Sequence, residues 1–73
     1  MENNTTTFPE RLRKLREQKR MSRKVLSELC GVSKNMIGRY ERGERKPNID
    51  TLVNLCDNLD VSADYILGRE KNF

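Results

Sequence analysis

The stretch MSRKVLSELCGVSKNMIGRYERG, residues 21–43, holds two short runs of helical character separated by a glycine. Ser22 stands where an N-cap belongs, ahead of RKVLSELC, and Gly31 stands where such a helix stops. Ser33 repeats the capping signal ahead of KNMIGRYER, and Gly43 repeats the stop. The spacing predicts a helix that ends at Gly31, a three-residue turn starting there, and a further helix over residues 33–42.

Working outward, the same punctuation predicts three more helices. Thr7-Phe8-Pro9-Glu10 fits a capping box with proline in the first turn, and Phe8, Leu12 and Leu15 mark one apolar face through about Arg20. Pro47-Asn48 opens IDTLVNLCDNL, where Leu52, Leu55, Cys56 and Leu59 recur at i, i+3, i+4 and i+7. Ser62 caps a last short helix, ADYIL, which Gly68 stops. No segment alternates as a strand does. The expected fold is all-α, with five helices in one domain over residues 8–68, between an N-terminal arm (1–7) and a C-terminal tail (69–73). The closing GREKNF reads either as a natural end or as the start of a linker.

Seventy-three residues make one domain with a small core, since a chain this short buries only about 60–65% of its unfolded surface. No apolar run approaches the roughly 20 residues of a membrane span. The opening MENNTTT has neither the basic start nor the apolar centre of a signal peptide, so a cytoplasmic protein is expected. Cys30 and Cys56 stand 26 positions apart and histidine is absent, whereas a structural zinc site wants about four close-spaced ligands. Both cysteines lie among leucines at helical spacing (Leu26, Leu29, Cys30; Leu52, Leu55, Cys56, Leu59), and read as buried free thiols with neither metal nor cofactor. Without histidine or a catalytic constellation, an enzyme is not expected.

Charge is distributed unevenly. Residues 1–46 carry thirteen Lys/Arg against six Asp/Glu, while residues 47–73 carry two against five. Such a split fits either a basic face aimed at a polyanion or an ordinary solvated helix surface. The third helix sharpens the choice. At about 100° per residue, Lys34, Gly38, Arg42, Asn35 and Arg39 share one arc of about 140°. Met36, Tyr40 and Ile37 take the opposite arc, with Glu41 at its edge. Gly38 costs about 1 kcal/mol relative to alanine inside a helix. It reads either as a point where the backbone comes close to a partner surface or as a tolerated surface glycine.

Helix two, the short turn and helix three form a helix-turn-helix, a unit whose second helix enters the DNA major groove while the first crosses the backbone. From about Phe8 to Gly68 the chain resembles the phage repressor and Cro-like helix-turn-helix domains, the xenobiotic-response-element type with a lambda-repressor-like fold. The pieces GVS, I-G-RYERG, the following R-K-P, and VSADYILG carry the resemblance by their order and spacing. It implies that Lys34, Asn35 and Arg39 face base edges. Their chemistry suits this, because Arg and Lys donate to guanine O6/N7 and Asn pairs with adenine N6/N7. It further implies backbone contacts from Arg23, Ser33, Arg42, Arg45 and Lys46, with amide donors at the starts of helices two and three. Arg16 and Glu41 match a partly buried ion pair that ties helix one to the recognition helix. Departures from the family pattern are Arg23 in place of a frequent glutamine, Ser27 for alanine, Val25 for a polar residue, and Glu44 for a frequent lysine.

The implied function is sequence-specific binding of double-stranded DNA by a transcriptional regulator, with repression the favoured sense. The alternative is an antitoxin that binds a toxin as well as its own operator. One recognition helix reads few base pairs, so a homodimer on a palindromic operator is expected, with half-sites about 10 base pairs apart. Ala63, Tyr65, Ile66, Leu67 and Phe73 would supply its apolar contact.

Overall fold

The computed structural model describes residues 7–69, and its elements run α1 (Phe8–Gln18), α2 (Arg23–Cys30), α3 (Met36–Glu41), α4 (Ile49–Leu59) and α5 (Ala63–Ile66). Three of the helices start on side-chain caps, Ser22 and Ser62 as expected from sequence and Asn48 in addition. The amides of Val25, Thr51 and Tyr65 donate to Ser22 Oγ, Asn48 Oδ1 and Ser62 Oγ at 3.0, 2.8 and 3.0 Å. Each bond satisfies one amide that the first helical turn leaves without a partner. At α1, Glu10 Oε1 accepts from the Thr7 amide at 3.2 Å, the reverse arm of a capping box.

Every helix sends at least one fully buried aliphatic side chain into a single core: Leu12, Leu26, Ile37, Leu55, Leu59 and Ile66. Burying such a side chain is worth about 1.5–3 kcal/mol, so the core fastens all five elements. Helix α2 packs on α4, α1 packs on α3, and α5 closes against α4 and α1. The short α3 is thereby wedged between α1 and α2, and its orientation is set by the core through Ile37 and Tyr40.

The structure corrects several expectations. Helix α3 begins at Met36, and Ser33 does not cap it. The Ser33 carbonyl instead accepts from the Met36 amide at 3.0 Å, so Lys34 and Asn35 form a tight turn ahead of the helix. Helix α1 stops at Gln18, because Arg20 takes a left-handed backbone (φ 58°) and ends the helical run. Leu29 is 51% exposed and lies outside the core, since the α2–α4 packing uses Leu26 and Cys30. Ile66, offered as contact surface, is fully buried. Residues 1–6 of the expected arm and residues 70–73 of the expected tail, including Phe73, lie outside the described residues. Among the described residues no helix is long and apolar enough to cross a membrane, and no three His, Cys, Asp or Glu gather as a metal would need. Cys30 and Cys56 are both buried free thiols, and burial pushes both above the usual thiol range.

Candidate nucleic-acid interface

Ile37 and Tyr40 anchor the inner face of α3 in the core, and this leaves its opposite face to solvent. Lys34 and Asn35, in the turn that enters α3, and Arg39, near its end, are all exposed there. Ser27 on α2 is 1% exposed, and its hydroxyl lies 3.5 Å from the Lys34 carbonyl, fixing the turn against α2. A bulkier side chain at Ser27 would push the two helices apart.

Glu41 is the electrostatic hub of the site. Its side chain is only 2% exposed and meets two arginines from different helices. Arg16, on α1, donates from Nε to Oε2 at 2.6 Å and from Nη2 to Oε1 at 3.3 Å. Arg16 also donates from Nη1 to the Met21 carbonyl at 2.8 Å, so the buried guanidinium is well supplied with acceptors. Arg23, on the first turn of α2, donates from Nε to Glu41 Oε1 at 3.0 Å. One buried carboxylate thus ties α1, α2 and α3 together. Arg23 spends its Nε on that tie, and its side chain remains half exposed.

Gly38 is buried, unlike the open position its place on the polar arc suggests. Two arginine side chains cover it. A Cβ added at Gly38 would lie 3.0 Å from Arg42 Nη1 and 3.6 Å from Arg23 Cδ. The missing side chain gives the two arginines room to converge over the α3 backbone.

Helix α3 ends in a Schellman motif. Gly43 takes the left-handed conformation (φ 76°), its amide donates to the Tyr40 carbonyl at 3.1 Å, and the Glu44 amide donates to the Arg39 carbonyl at 2.9 Å. The reversal brings the Glu44 carboxylate back to Arg42, which donates from Nε at 2.8 Å and from Nη2 at 3.4 Å. Hydrogen bonding from Arg42 holds the Glu44 carboxyl below the usual range, the charges of Arg42 and Arg39 add to this, and Arg42 is raised in turn. Arg45 and Lys46 are exposed beyond the turn and flank an apolar cleft formed with Phe8, Pro9, Leu52 and Leu67. The Arg23–Glu41 and Arg42–Glu44 pairs were not foreseen from the sequence. The unusual Arg23 and Glu44 were the only signals pointing to them.

Comparison with known proteins gives consistent results. The family described as HTH_3, Helix-turn-helix, matches residues 12–66. The chain is 38% identical over 65 residues to an uncharacterized HTH-type transcriptional regulator, YqaE, of Bacillus subtilis (strain 168), covering 89% of this chain and 56% of that protein. It is 39% identical over 62 residues to the HTH-type transcriptional regulator AnsR of the same organism, covering 85% of this chain and 53% of AnsR. The chain therefore spans little more than half the length of these relatives. Among solved structures it is similar to the P22 c2 repressor protein in complex with a synthetic operator. The TM-score there is 0.85 at 33% identity, over 90% of this chain and all of the other.

Proposed function

The chain belongs to the HTH_3 helix-turn-helix family, and from that premise we propose that it binds double-stranded DNA in a sequence-specific manner as a transcriptional regulator, with repression as its action. The observation that carries this reading is the exposed surface at α3: Lys34 and Asn35, in the turn that enters the helix, and Arg39, on the helix itself, face solvent while its inner face is locked into the core. A rigid helix presenting such donors is what direct readout in the major groove requires. The P22 c2 repressor, a similar structure, is in complex with a synthetic operator, which supports the reading. Lys34, Asn35 and Arg39 are assigned to base edges. Arg23, Ser33, Arg42, Arg45 and Lys46 are assigned to phosphates on either side.

Two chains are assigned to one palindromic operator. Leu67, and on α4 Ile49 and Val53, are exposed apolar residues that a second copy would cover, Ile49 being 78% exposed. Tyr65 is already engaged by Arg11, whose guanidinium lies 4.7 Å from the ring centre. Selection of bound sequences from a random duplex pool tests the proposal. It should enrich one two-fold symmetric motif with half-sites about 10 base pairs apart, bound by two chains. A pool that stays random contradicts sequence-specific binding, and one chain on an asymmetric motif contradicts the dimer.

A further inference from the structure

Two acids stand at the end of α3, and they are placed very differently. Glu41 is enclosed and held by Arg16 from α1 and Arg23 from α2, so it cannot leave. Glu44 is 52% exposed and bonded only through an exposed partner, so it can swing away. The Schellman turn nevertheless fixes its backbone beside Arg42, and its two oxygens take Arg42 Nε and Nη2 together. These two donors form one side of the guanidinium fork, the geometry by which arginine grips a phosphate. The remaining nitrogen, Nη1, lies over Gly38.

We propose that Glu44 is a built-in competitor for DNA phosphate at Arg42: its carboxylate occupies the guanidinium fork and, while it stays there, keeps Arg42 from neutralising a phosphate. This inference rests on the DNA-binding reading above and adds an affinity-setting residue to it. While Glu44 stays beside Arg42 the pair carries no net charge, so Arg42 releases few DNA counterions. The effect is independent of base sequence, and the gain on removing Glu44 therefore falls on any duplex.

The test measures binding of a mixed-sequence duplex across a salt series by four forms of the chain: the parent, Glu44→Gln, Arg42→Gln and the double variant. Thermal melts establish that each is folded. Glu44→Gln should steepen the slope of log K against log salt by about 0.9, an advantage of about eightfold at 0.1 M relative to 1 M salt. In the Arg42→Gln background the same change should move affinity by no more than about twofold, because the competitor has lost its target. An unchanged slope for Glu44→Gln overturns the proposal while leaving DNA binding intact. An equal gain in both backgrounds also overturns it, since Glu44 would then act by plain charge repulsion. A parent chain with no salt-dependent affinity for duplex removes the DNA-binding reading itself, and this proposal with it.

Discussion

Removing Glu41 should damage the domain far more than removing either arginine that it holds. Glu41→Leu leaves the Arg16 guanidinium buried, 10% exposed, with the Met21 carbonyl at 2.8 Å and the half-exposed Glu17 carboxylate, 4.0 Å away, as its remaining partners. Stranding a buried charge in this way costs about 3–5 kcal/mol. Arg16→Met is gentler, because Glu41 keeps Arg23 Nε at 3.0 Å and methionine refills the apolar stem. Its expected cost is about 1.5–3 kcal/mol, the worth of hydrogen bonds to a charged group. Arg23→Gln breaks a half-exposed pair and should cost at most about 1 kcal/mol. A domain of this length has about 4–11 kcal/mol of total stability, so the first variant should be close to unfolding. Urea unfolding reads the order directly through the midpoints. The double variant Arg16→Met/Glu41→Leu should be more stable than Glu41→Leu alone, since both buried charges are then gone. Arg16→Met costing as much as Glu41→Leu, or a double variant showing the simple sum, would refute the view that Arg23 sustains Glu41.

Gly38→Ala should stabilise the helix by up to about 1 kcal/mol, because only the mobile tip of Arg42 must move aside. The same variant should weaken DNA binding, and melting and titration together would detect the opposed changes. Arg20→Gly relieves a left-handed residue at the end of α1 and should raise stability by about 0.5–1 kcal/mol, read as a higher melting temperature. Burial raises both thiols in the folded chain, so their contribution is complete below the unfolded thiol range and is lost as pH rises above about 8.5. Stability measured from pH 7 to 10 should fall at the alkaline end, and alkylation of the native thiols should be much slower than in urea.

How much was legible in advance follows the range of the interaction concerned. The caps at Ser22 and Ser62 were readable because each is a bond between a side chain and an amide three residues on. Ser33 offers the same hydroxyl, but its backbone carbonyl took the Met36 amide, and no local pattern distinguishes the two outcomes. Leu29 was misread because helical spacing marks two neighbouring faces of α2, and only packing against α4 selects between them. The basic residues from Lys34 to Arg42 were visible because they lie within one short stretch of sequence. The cover over Gly38 was not, since Arg23 reaches it from another helix. Arg16 and Glu41 lie 25 positions apart, and only the family resemblance linked them beforehand.

If α3 and its entry turn read bases while the start of α2 grips the backbone, one paired measurement separates these roles. Arg39→Ala and Arg23→Ala are titrated against the selected site and its single-base changes at several salt concentrations. Arg39→Ala should cost about 1–3 kcal/mol on the best site and relax preference at one base pair. Arg23→Ala should weaken every duplex alike and make the salt slope shallower by about one, leaving base preference unchanged. Uniform weakening by Arg39→Ala together with altered base preference in Arg23→Ala would mean that α3 does not read the bases.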